Sequence, residues 1–109
     1  MTTFFFFYVS DPEESPFWSV DLGQIEHVRS VRLYGSDANP LHDLDVHLGN
    51  SENVTDNALC TRYRGHTSSL DVRIVCDTEL SGRYIGIVQR AKPHHPESLI
   101  LCETLVFLM

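Results

Sequence analysis

The residues with the most chemistry to offer in this chain of 109 are its six histidines and three cysteines. His94 and His95 stand together between Pro93 and Pro96, where paired imidazoles could bind a transition metal. No cysteine or carboxylate accompanies them at zinc spacing, so the plainer reading is exposed loop histidines. His42 and His47 match no ligand spacing either. No serine sits in a nucleophile elbow, no glycine-rich loop could cradle a phosphate, and no Cys-His signature is present, so an enzyme is not expected. An odd cysteine count allows one bridge within the chain and leaves one thiol over. Asn53-Val54-Thr55 is a glycosylation sequon, consistent with secretion, although such triplets also arise by chance.

Length and charge bound what these residues can serve. A chain of this size forms one domain and buries a little over ~60% of its unfolded surface, so a covalent staple would help. With 15 acidic against 8 basic residues the formal charge is −7. Nucleic acid is therefore not an expected partner, because phosphate recognition needs clustered Lys and Arg. No apolar run approaches the roughly 20 residues of a membrane helix. The apolar run at residues 4–9 lacks a preceding basic residue and a following cleavage site, and is read as an extra edge strand or as a start replacing something longer, with a signal core as the alternative.

Helix signals are nearly absent, and short alternating runs recur between clusters of Gly, Asn, Asp, Ser and Pro, the rhythm of a β-sandwich. Residues 17–22 predict the organising strand. Trp18, Val20 and Leu22 share its core face, and Gly23 ends it. Further strands are expected over residues 28–34, 44–48, 70–75, 83–88 and 99–108, with a turn at Ser81-Gly82 and exposed loops at residues 35–40, 51–58 and 91–98.

Four ordered stretches carry a family resemblance: Trp18-Ser19-Val20-Asp21-Leu22-Gly23, Val46-His47-Leu48-Gly49-Asn50, Gly82-Arg83-Tyr84-Ile85-Gly86-Ile87 and Leu101-Cys102-Glu103. Together they resemble the F-type lectins, which include the fucolectins and tachylectin-related domains, with discoidin domains as more distant relatives. The resemblance covers about residues 16–107 and implies an all-β, antiparallel jelly-roll β-sandwich of the galactose-binding, discoidin-like kind. Residues 1–15 would be a divergent N-terminal segment and residues 16–109 the lectin-like domain, incomplete at its N-terminus.

The resemblance also assigns roles. Cys60 and Cys76 look like the pair the family bridges; two buried thiols are the alternative. Cys102 matches a position whose family partner lies in the missing N-terminal part, so it is expected to be a free thiol or a sign of an incomplete chain. The family holds calcium partly through the carbonyl at Cys102 and the side chain at Glu103. Calcium takes about 6–8 oxygens, so two matched positions imply weak binding at best unless Asp11, Glu13 or Glu14 supply replacements. Otherwise Glu103 is a charge on the outer face of the last strand. Fucose recognition in the family uses one histidine and two arginines around a short acidic loop. Asp37 matches that loop, but Ser36 takes the place of the first arginine and about Pro40 that of the second. His42 is then the nearest polar substitute. Neither Ser nor Pro reproduces the arginine fork, so the sugar site is expected to be degraded or altered.

Two functions follow. One is a secreted, fucose-type carbohydrate-binding domain whose partners are glycans, fucosylated ones among them, with self-association left open. The other is a non-lectin adhesion or structural module that binds a protein or membrane surface through the loops at residues 37–42 and 92–97.

Overall fold

The computed structural model describes residues 8–37 and 39–109. Its strands are β1 (Tyr8–Val9), β2 (Phe17–Tyr34), β3 (His42–Gly49), β4 (Ala58–His66), β5 (Asp71–Gln89), β6 (Ile100–Leu101) and β7 (Glu103–Leu108), with a 3-10 turn at Val54–Asp56. The organising stretch folds as its alternation requires. Trp18 is 5% exposed, with Val20 and Leu22 packed on the same core cluster, while Phe17, Ser19 and Asp21 face solvent. Trp18 lies opposite Ile87 and Val20 opposite Ile85 on β5.

Gly23 does not end a strand, and Ser81-Gly82 makes no turn. Gly23 sits at φ +88, a conformation open to glycine, inside a bulge where residues 22–25 face Arg83 alone. The Asp21 carboxylate fixes the bulge by accepting from the Gly23 N–H at 2.8 Å and from Arg83 Nε and Nη2 at 2.7 and 2.8 Å. A second irregularity sets Arg29 against residues 76–79. Each pair of expected short strands is thus two halves of one long strand that bends at a bulge.

All pairing is antiparallel, with the order β4-β3-β5-β2-β7 in one sheet and β1-β6 in a second. β3 pairs with the last part of β5, and β7 pairs with the last part of β2. The disulfide between Cys60 on β4 and Cys76 on the first half of β5, with Cα atoms 4.8 Å apart, draws together parts of the sheet that β3 separates in hydrogen-bonding order. The sheet therefore rolls over on itself as a β-sandwich. Leu33, Leu44, Val46, Ile87, Leu101 and Val106 fill the space between the layers.

β4 went unread because it is an edge strand with Cys60 as its one buried residue, too little for an alternation to show. The expected strand at residues 99–108 breaks at Cys102, whose N–H donates to Tyr34 O at 2.7 Å. Before the break β6 pairs with β1; after it β7 pairs with β2. Of the apolar run at residues 4–9, Tyr8 and Val9 form β1, and the rest lies outside the described residues. Among the described residues no helix is long and apolar enough to cross a membrane.

Two motif glycines have a steric reason. A Cβ on Gly82 would lie 2.5 Å from the backbone nitrogen and 2.6 Å from the Cα of Gly49, and a Cβ on Gly49 would run into the Asn57 side chain. Gly82→Ala is expected to cost about 1–3 kcal/mol, read as a lower urea midpoint with unchanged slope. An unchanged midpoint would show that this approach is not tight.

Candidate functional site

β5 stops at the end of the sandwich where β3 begins and β4 finishes, since His42 pairs with His66, Leu44 pairs with Gln89, and the Arg90 N–H donates to Asp43 O at 2.9 Å. The loop at residues 91–98 leaves from the same end, and Glu13 and Glu97 exchange backbone hydrogen bonds of 2.9 Å across it. Between these elements lies an open cavity of about 670 Å³, lined by His42, Asp43, His66, Arg90, His95 and Glu97 among others.

His42 is tied at both ring nitrogens. Nδ1 is 2.9 Å from Asp43 Oδ2 and Nε2 is 2.5 Å from Glu97 Oε1. Carboxylate oxygens accept, so a ring nitrogen that carries a proton donates it to its carboxylate partner. Gln89, 2% exposed, locks the arrangement: its Nε2 donates to Glu97 Oε1 at 2.9 Å and its Oε1 accepts the His42 N–H at 3.3 Å. The His66 ring lies over that of His42, with centroids 5.1 Å apart.

The neighbouring residues are held as firmly. Asp43 sits at φ +46, and its Oδ1 accepts the Gly65 N–H at 2.9 Å. That bond first, and the contact with His42 second, hold the Asp43 carboxyl below its ordinary value of 3.8. Asp45, buried at 6% exposure, receives Arg62 Nε at 2.9 Å and Arg90 Nε at 3.0 Å. Arg90 is thereby fixed from one side. Its Nη2 lies 3.8 Å from Asp43 Oδ1, too far to hydrogen-bond, and has no hydrogen-bond partner among the described residues. Nη2 itself is buried, but the Arg90 side chain is partly exposed at the cavity beside the partly exposed carboxylates of Asp43 and Glu97, so donors and acceptors stand together. That is the requirement of a polyhydroxylated ligand.

Stability should follow the depressed carboxyls. Asp43, Asp21 and Asp71 all titrate below 3.8, Asp21 chiefly through Arg83 and Asp71 through Arg32. A carboxyl whose folded value is lowered stabilises the fold fully above its unfolded value, and that contribution is lost as pH falls through the folded value. The melting temperature is therefore expected to hold from neutrality down to about pH 5 and to fall progressively below pH 4. A melting temperature flat down to about pH 2 would contradict these contacts.

Of the residues singled out in the sequence, His42 lines the cavity, though as a ring spent on two carboxylates. Asp37 is exposed in the turn between Ser36 and Asn39 and is not a lining residue, and neither is Ser36 or Pro40. Arg32 is paired with Asp71 at Nε–Oδ1 2.8 Å and serves β2 rather than this site. The residues the sequence did not single out are Asp43, His66 and Arg90. Arg90 follows directly on β5, whose last five residues are all buried.

Cys102 is an exposed free thiol, and Glu103 opens β7 opposite Tyr34. A calcium site there would need more oxygen donors. Glu13 pairs with Glu97 through its backbone, and a Glu14 carboxylate oxygen accepts the His94 N–H at 3.4 Å. No group of three His, Cys, Asp or Glu that could hold a metal ion occurs among the described residues. His95 belongs to the cavity, and His94 lies in the same loop at φ +64.

No family model matches the sequence, and no curated protein does. Solved structures do. The lectin domain of lectinolysin, solved in complex with Lewis B antigen, is 30% identical over 91% of this chain and 69% of its own, with a TM-score of 0.65. The chain belongs to the F-type lectin family. An F-lectin (fucolectin) from the serum of the striped bass, Morone saxatilis, is 25% identical with a TM-score of 0.77, over 92% of this chain and 34% of its own. The present chain thus spans about a third of that protein. A fucose-binding module of Streptococcus pneumoniae, 18% identical with a TM-score of 0.68 over 91% of this chain and 69% of its own, shares the fold. In this F-type lectin the discoidin-like sandwich stands as expected, and the Cys60–Cys76 bridge is present.

Proposed function

We propose that this F-type lectin domain binds a carbohydrate in the cavity between β3, β5 and the loop at residues 91–98, with a recognition set altered from the fucose-type one. The observation that carries the reading is Arg90, pinned by Asp45 and with its side chain about a third exposed, at a cavity that Asp43 and Glu97 also line. A family arginine is absent from the acidic loop, and Arg90, just past the end of β5, lines the cavity. Support also comes from the relatives, one of which was solved with Lewis B and another of which is a fucolectin.

Magnitudes favour an oligosaccharide over free fucose. Hydrogen bonds to charged groups contribute about 1.5–3 kcal/mol each, and a millimolar ligand holds only about 4 kcal/mol altogether. With both family arginines replaced, free fucose is expected to bind more weakly than about 1 mM. A longer glycan reaching Arg90, Lys92 and His95 recovers contacts. The proposed contacts run through carboxylate acceptors and a guanidinium donor, so binding is expected to be independent of calcium.

An amide-shift titration with Lewis B oligosaccharide, with and without calcium, tests this. Shifts confined to residues 42–43, 66 and 90–97, and independent of calcium, are expected. Shifts centred on residues 36–40 or on Glu103 instead would sink the proposal.

A further inference from the structure

On the outer face of the sheet, away from the cavity, a groove of about 200 Å³ runs between Phe17 and Val88 on one side and Glu52, Asn53 and Thr55 on the other. Phe17 and Val88 are cross-strand partners, and Phe17 is 46% exposed, a large aromatic surface left open beside a polar rim. Asn53 and Thr55 on that rim belong to the single sequon of the chain.

The sequon is held rigidly over the sheet. Val54, its middle residue, is buried and packs on Gly86, where a Cβ would come within 2.4 Å of Val54 Cγ1. Asn53 and Thr55 on either side of it are exposed. Asn57 closes the loop, its Oδ1 accepting the Ser51 N–H at 3.0 Å and its Nδ2 donating to Ser51 O at 2.8 Å; Ser51 Oγ accepts the Asn53 N–H at 3.1 Å. The Thr55 hydroxyl donates to Asn53 Oδ1 at 3.3 Å, and Asn53 Nδ2, the atom that would carry a sugar, makes no hydrogen bond among the described residues.

We propose that Asn53 is an N-glycosylation site and that the groove walled by Phe17 and Val88 seats the first N-acetylglucosamine of its own glycan. The chemistry matches. A pyranose presents a face of C–H groups to the negative face of an aromatic ring, here Phe17, and the N-acetyl methyl group suits Val88. Hydroxyls at the sugar's edge reach Ser15 and Glu52, which also line the groove. The Cys60–Cys76 bridge independently points to passage through an oxidising compartment, where sequons are modified. The inference does not depend on the sugar-binding cavity.

The test is to direct the full chain into the secretory pathway of a eukaryotic host and to map Asn53 in all material recovered from that pathway. Glycan on Asn53, abolished by Thr55→Ala, is expected. Trimming to the single N-acetylglucosamine should leave a melting temperature roughly 4 °C above that of Asn53→Gln, the shift about 1 kcal/mol gives in a domain of this size. Phe17→Ala should erase that difference, because the exposed ring acts through the sugar. An unmodified Asn53 would overturn the proposal, as would a trimmed protein no more stable than Asn53→Gln, or a gain that survives Phe17→Ala.

Discussion

Trp18→Ala is expected to lower the unfolding free energy by about 3–5 kcal/mol, the range for removing a buried tryptophan from a core that relaxes only in part. The indole is 5% exposed and lies opposite Ile87, itself fully buried, on the pair of strands that carries the sandwich. Domains of this kind hold about 5–15 kcal/mol in all, so the variant should stand near the limit of folding. Urea titration reads the effect directly. Trp18→Phe, which keeps an aromatic ring and opens a smaller cavity, should lose less. A loss below about 1 kcal/mol for the alanine variant would mean that the indole is not seated in the core.

Breaking the Cys60–Cys76 bridge is the second large effect. The cysteines are 16 residues apart, and closing a loop of that length removes about 3 kcal/mol of entropy from the unfolded chain. The bridge also ties edge strand β4, which has little burial of its own, to the first half of β5. Reduction, or the double substitution Cys60→Ala/Cys76→Ala, is therefore expected to cost about 3 kcal/mol, with β4 exchanging its amide hydrogens fastest. Peptide mapping that paired Cys60 with the exposed Cys102 would contradict the connectivity.

The fold was legible where side-chain alternation carries it. Trp18, Val20 and Leu22 name their face, and Leu44, Val46 and Leu48 name theirs. Bulges were not legible, since Gly23 and Gly82 look like stops in a sequence and act as points where a paired strand bends or a neighbouring backbone comes close. Nor was β4, whose contribution to the core is the bridged Cys60 and the half-buried Tyr63. The site was half legible. His42 was found from its place in the loop, but its role was not, because that depends on Glu97, 55 residues away in sequence. Arg90 and Asp43 meet only because β3 and β5 pair antiparallel, and that register is not written in either segment alone.

The central claim is that this cavity binds sugar through Arg90. A glycan array probed in parallel with the natural chain and with Arg90→Ala, each first shown by its melting curve to be folded, tests it most directly. The account predicts binding of at least one oligosaccharide by the natural chain and at least a tenfold loss in the variant, since one charged hydrogen bond is worth about 1.5–3 kcal/mol and tenfold is about 1.4. A folded natural chain that binds no glycan, or an Arg90→Ala variant that binds as well as the natural chain, would contradict it.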